Sequence, residues 1–269
     1  MRRLFGAAAL VAITLAGAVA GACAGSAAQS ERGTDHRPRL ASTADLLAAM
    51  RQRYDGRWYR TFTFVQQSTT FRPDGTTERE TWLEAAAVPG RLRIDVGPRE
   101  RRNGVIYARD SQFVVRGDSI TRAAPATNPL LLLGFDVYAA PPEKIEAGLR
   151  GLGFDTSRFR EDEWDGRPMY VVGAAPGDLH TRQFWVEKER LLFVRMLEPD
   201  RRDTARTSEI RFNKYRPLAG GWIAPEVDFL VDGRRVFREE YEEVRANVPL
   251  DEALFDPRRW SSAPHWSAH

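Results

Sequence analysis

The polarity pattern of the chain changes period twice after an apolar opening. Leu4 to Ala22 carries no charge and is dominated by Ala, Leu, Val and Gly, behind Arg2 and Arg3. It closes in the small residues Ala20-Gly21-Ala22-Cys23-Ala24. Basic start, apolar middle and small-residue end together predict an export signal over residues 1–22, since the apolar part partitions into a membrane and small residues fit a peptidase. Residues 23–41 are polar, hold Pro38 and read as a flexible linker. A helical period follows: Ser42 or Thr43 caps a helix to about Tyr54, with Leu46, Leu47, Met50 and Tyr54 on one face and Gly56 as its stop.

From Arg57 the period becomes two. Trp58, Arg60, Phe62 and Phe64 alternate with Tyr59, Thr61, Thr63 and Val65, and Arg72-Pro73-Asp74-Gly75 turns the chain into a second strand over Thr76–Ala86. Arg91–Val96, Val105–Ala108, Gln112–Arg116 and Ser119–Arg122 continue an antiparallel meander. The alternation breaks at Asn128-Pro129, which opens the apolar run Leu130–Leu133, and Pro141-Pro142 starts a helix over Glu143–Gly151. Strands then resume: Phe154–Trp164, Arg167–Gly173, Thr181–Glu187, Arg190–Glu198, Thr207–Tyr215, Trp222–Val231 and Arg234–Val244. Asp165-Gly166 and Asp232-Gly233 mark hairpins. The pattern predicts an α+β, mostly β domain over 42–260, with about eleven strands in one sheet interrupted once by helices. Residues 261–269 read as a disordered tail. The alternation in Glu239-Glu240-Tyr241-Glu242-Glu243 reads as an edge strand protected by charge.

Composition narrows the function classes. Without Arg2 and Arg3 the formal net charge falls from +3 to +1, and no run of five like charges occurs, so a nucleic-acid partner is not expected. Cys23 is the single cysteine; the domain beyond it holds no disulfide and no thiol nucleophile. Its position after Val19-Ala20-Gly21-Ala22 resembles a bacterial lipobox, although Ala20 stands where leucine is usual. Lipid attachment at Cys23, cleavage nearby after Ala22 or Ala24, and an uncleaved anchor all remain open. Each outcome places the domain in the cell envelope, on the periplasmic side, and acylation tethers it to a membrane.

Catalytic signals are sparse. The four histidines are His36, His180, His265 and His269, and no Gly-x-Ser-x-Gly elbow is present. His265 and His269 have metal-ligand spacing only on a helix, and a frayed terminus is the better reading. Gly148–Gly153 is glycine-rich but ends a helix instead of opening one, so it does not cradle phosphate. Glu161-Asp162-Glu163 with Asp165 offers carboxylates to a cation, yet Asp165 is explained as a turn residue. No metal, no cofactor and no catalytic activity is expected.

Three short segments carry a family resemblance: Phe62-Thr63-Phe64-Val65-Gln66-Gln67, Pro89-Gly90-Arg91-Leu92-Arg93-Ile94-Asp95 and Asn103-Gly104-Val105-Ile106-Tyr107. With the order helix, strands, central helices, strands, they make the chain resemble the LolA-like family of periplasmic lipoprotein carriers and lipoprotein-binding domains. The resemblance implies an unclosed, strongly curved antiparallel sheet with helices over its concave face and an apolar cavity for acyl chains between them. The carriers have an arginine shortly before the Pro of the Pro-Gly turn; here Ala86, Ala87 and Val88 stand before Pro89, so its lid-control role is not carried over.

A curved sheet buries one face. Alternation puts Phe62, Phe64, Trp82, Leu92, Ile94, Ile106, Phe113, Val115, Tyr170, Val172, Phe184, Leu192 and Val194 on the inner face, with Leu131, Leu132, Leu133 and Phe135 as the cover. Apolar alternation alone does not separate cavity lining from a filled core. Two functions remain open: a holder of lipid or lipoprotein acyl chains, or a protein-interaction or sensor domain on the same fold with a filled core.

Overall fold

The computed structural model describes residues 40–267. The export signal, Cys23, His36 and nearly all of the linker lie outside the described residues, as does His269. Helix α1 spans Thr43–Arg53, and the hydroxyl of Ser42 caps it by accepting from the Asp45 amide at 3.1 Å. Six strands follow: β1 Thr61–Phe71, β2 Thr77–Ala87, β3 Arg91–Val96, β4 Gly104–Ala108, β5 Ser111–Arg116 and β6 Ser119–Pro125. The crossover holds α2 (Pro129–Gly134), a 3-10 turn (Asp136–Tyr138) and α3 (Pro142–Gly151). Then come β7 Phe159–Trp164, β8 Arg167–Val172, β9 Gln183–Glu187, β10 Leu192–Pro199, β11 Thr207–Asn213, β12 Arg216–Leu218, β13 Gly221–Ile223, β14 Glu226–Val231 and β15 Arg234–Ala246.

Thirteen strands form one curved antiparallel sheet in the order β6-β5-β4-β3-β2-β1-β15-β14-β11-β10-β9-β8-β7, and β12 with β13 makes a separate ribbon. The chain walks outward from β1 to β6, crosses under cover of the helices to β7 at the opposite edge, and walks back to β15 beside β1. The two edges do not pair, so the sheet is unclosed. Asp165-Gly166 and Asp232-Gly233 both have positive φ at each residue, the backbone that tight two-residue hairpins need.

Several expectations are corrected here. The sheet has thirteen strands rather than about eleven. The expected strand Trp222–Val231 is interrupted at Ala224-Pro225, because proline donates nothing to a ladder, and Trp222 belongs to the ribbon. The acidic run Glu239–Glu243 is not at an edge: β15 pairs with both β1 and β14. The charged edge is β7, with Glu161, Asp162 and Glu163. Residues 261–267 are not a loose tail. His265 is buried and stacks on Trp266 at 3.9 Å, and Trp260 lies under the Arg93 guanidinium at 3.9 Å. Rings of this size stay folded by covering apolar surface and a stacked cation.

The largest core lies between the inner sheet face and the helices, joining Leu46, Leu47, Met50, Phe62, Leu133, Ile145, Leu149 and Phe184 among others. Two smaller clusters occupy the outer face. One joins Ile106 and Val115 to Leu254, Phe255 and Trp260; the other joins Met169, Val171, Trp185, Val194 and Leu197.

Candidate functional site

Strand β1 is the axis of the site because its register aligns side chains from both neighbours. Phe64 stands opposite Glu84 and Gln66 opposite Trp82 on β2; on β15, Gln66 stands opposite Tyr241 and Ser68 opposite Glu239. Strand pleating therefore sends Trp82, Glu84, Glu239 and Tyr241 to the same inner face as Phe62 and Phe64. These six side chains, with Leu92, Ile94, Phe135 and Phe212, surround a cavity of about 70 Å³ beneath Leu130 and Leu131 of α2. That volume holds a few waters.

The cavity is apolar at one end and acidic at the other. Phe62 stacks on Phe135 of the cover at 4.6 Å, and Phe64 leans on Tyr241 at 4.2 Å. Glu84 is 6 % exposed, and among the described residues its carboxyl has no hydrogen-bond partner. Burial pushes its pKa well above the usual carboxylate range, and the charge of Glu239 pushes it further. Burial also raises Glu239, to about 7, against the pull of the Tyr241 hydroxyl, which donates to Glu239 Oε2 at 2.7 Å. Two carboxyl groups sharing one low-dielectric space cannot both ionise cheaply without a cation.

The cover is held unevenly. Its tyrosines tie the region to the β9–β10 turn and the start of β10: Tyr54 Oη donates to the Arg190 carbonyl at 2.7 Å, and Tyr138 Oη accepts from the Phe193 amide at 3.1 Å. Trp58 stacks on Tyr138 at 3.9 Å. Helix α2, six residues long, has cavities on both sides. A second one of about 110 Å³ lies between it, α3 and the β2–β3 and β4–β5 turns, and Leu131 and Asn128 line both. Asn128 caps α2 by accepting from the Leu130 and Leu131 amides at 2.9 and 3.2 Å. The helix can seat close to the sheet because residue 134 is glycine: a Cβ there stands 2.8 Å from Phe212 Cε2.

Of the residues singled out from the sequence, Phe62, Phe64, Trp82, Leu92, Ile94, Leu131 and Phe135 line the smaller cavity, and Leu131 and Leu132 the larger one. Leu133, Val172, Phe184 and Leu192 are fully buried in the main core, with Tyr170 packed against it. The structure sets four apart. Ile106 is opposite Arg93, and Phe113 opposite Ile106, on the outer face; Val115 shares their cluster. Val194 sits at a bulge between Phe193 and Arg195 that turns it outward. Sequence reasoning missed Glu84, Glu239 and Tyr241. The available signal was an acid at an inward position of β2, two residues beyond Trp82.

No protein-family model and no curated protein matches the chain, but solved structures do. A DUF1329 family protein from Desulfovibrio piger superposes with a TM-score of 0.52 at 14 % identity, covering 79 % of this chain and 95 % of that one. An outer membrane lipoprotein-sorting protein domain from Vibrio parahaemolyticus gives 0.52 at 12 %, covering 81 % and 97 %. A LolA superfamily protein from Nitrosomonas europaea gives 0.50 at 12 %, covering 80 % and 98 %. The fold is a divergent LolA-like fold.

Proposed function

We propose that this protein is a non-catalytic cell-envelope binding protein that holds acyl chains of a lipid or lipoprotein between the inner sheet face and α2. The observation that carries this reading is the pair of cavities flanking a short apolar helix whose neighbours are pinned by tyrosine hydrogen bonds. Ligand pockets usually enclose about 300–1,000 Å³. These two cavities enclose about 70 and 110 Å³, so on this reading an acyl chain enters only when α2 moves. Outward movement of α2 joins them, since Leu131 is the wall they share. The lipoprotein-sorting description of a structural relative agrees with this reading, as does the export pattern before Cys23, which when acylated tethers the domain to a membrane.

A protein-interaction module on the same fold is favoured by a different observation: beneath α3 the core is filled, with Leu133, Val172, Phe184 and Leu192 at 0 % exposure. Native mass spectrometry of the protein expressed from its full-length gene, with organic extraction, separates the two. A near-stoichiometric phospholipid or acylated peptide supports the acyl-holding reading. A ligand-free mass together with no uptake from added vesicles overturns it in favour of the interaction module.

A further inference from the structure

The acidic end of the smaller cavity does not suit hydrocarbon alone, and the rest of the sheet shows why. The other buried strand carboxylates face a cation. Asp95 is held by Arg93 at 2.8 Å, Glu209 by Arg195 at 2.6 Å, Asp228 by Arg238 at 2.7 Å, and Glu226 by Lys214 at 2.7 Å. Glu187 and Glu198 pair with Arg190 and Arg182, each at 2.8 Å. Glu84 is buried to the same degree and, among the described residues, has neither an ion pair nor a hydrogen bond. It lines the cavity, and the group it meets there electrostatically is a second carboxylate, Glu239. Without a cation a buried carboxyl keeps its proton, and a cationic group brought into the same space lets it ionise.

We infer that the cavity takes a cationic amphiphile, whose ammonium group seats between Glu84 and Glu239 beside the rings of Trp82 and Tyr241 while its chain runs toward Phe62 and Phe135 under α2. This rests on the acyl-holding reading and adds the charge of the head group to it. An ammonium group is of the size of a bound water and displaces one without enlarging that end of the site. Each of its features is met: two carboxylates for the charge, aromatic rings for cation–π attraction, and aliphatic walls for the first methylenes. An anionic head at the same place meets no cation, and its charge is tolerated only while both carboxyl groups stay protonated.

Isothermal titration and native mass spectrometry of the full-length gene product with dodecylammonium, dodecanol and dodecanoate, at about pH 7 and below micelle formation, test this. The amine is expected to bind about tenfold tighter than the alcohol and about a hundredfold tighter than the carboxylate. Glu84→Gln is expected to weaken the amine by about tenfold and leave the alcohol within about twofold; Glu239→Gln moves in the same direction and serves if the first variant fails to fold. Equal binding of amine and carboxylate, or a preference that survives both substitutions, overturns the inference and leaves the acyl site standing. Binding of none of the three overturns both.

Discussion

The backbone amide of Gly90, in the turn between β2 and β3, donates to the buried carboxyl of Asp136 at 3.0 Å, tying the sheet to the end of the cover that follows α2. Asp136 is 6 % exposed, and burial raises its pKa from 3.8 to about 7 against the opposing effects of Gly90 and Lys144. The folded protein therefore holds a proton on this group between about pH 4 and pH 7 that the unfolded chain has lost. That contribution to stability is full below about pH 4 and disappears as pH rises through about 7, at up to about 1.4 kcal/mol per pH unit. Asp136→Asn keeps the acceptor without the titration. Urea denaturation across pH is expected to show a shallower decline for the variant and a higher stability than wild type at about pH 8. Glu239, also near 7, keeps part of the slope in both proteins. Parallel profiles for the two proteins contradict the assignment.

Gly134→Ala places a methyl group 2.8 Å from the buried ring of Phe212, so α2 must lift or the ring must turn. The expected cost is about 1–3 kcal/mol, read as a lower melting temperature. If α2 is the moving cover, the variant also takes up an apolar fluorescent probe faster. Unchanged uptake alongside the destabilisation marks α2 as a fixed part of the core.

On the outer face, Arg93 makes two hydrogen bonds to Asp95, at 2.8 and 3.0 Å, and stacks over Trp260. Burial raises the Asp95 pKa, but the His265 imidazole, whose Nε2 lies 3.7 Å from Asp95 Oδ2, and the two hydrogen bonds from Arg93 outweigh it and hold the group below the usual carboxylate range. Its contribution to stability is present at neutral pH and is lost as pH falls through that depressed value. Asp95→Asn leaves a buried guanidinium without its counter-charge and is expected to cost about 3–5 kcal/mol at neutral pH. A loss below about 1 kcal/mol shows that Arg93 finds solvent instead.

Cys23→Ser tests the tether independently of the domain. Incorporation of labelled palmitate is expected to vanish and the protein to leave the membrane fraction. Labelling equal to wild type excludes Cys23 as the attachment site and leaves cleavage or an uncleaved anchor.

The element order was legible because it is local. Ser42 capping α1, Pro129 and Pro142 opening helices, and Asp-Gly at two hairpins act through their own backbone and nearest neighbours. The position of β15 was not. Its acidic run suits an edge strand in isolation, and only pairing with β1, about 175 residues away in sequence, puts it at the centre of the sheet.

The sequence alone determined that the domain is mostly β, and which residues of β1, β2 and β3 share the inner face, since Phe62, Phe64 and Leu92 alternate with polar residues. Tertiary structure decided the rest of the site. In β4 and β5, Val105, Ile106, Phe113 and Val114 are apolar on both faces, so alternation has no sign, and only the register to β3 turns Ile106 and Phe113 outward. Glu84 and Glu239 lie on strands distant in sequence, and they meet because both flank β1. A pleated strand dictates which of its own residues share a face; which strand stands beside it, and so which charges share a cavity, is settled by long-range pairing.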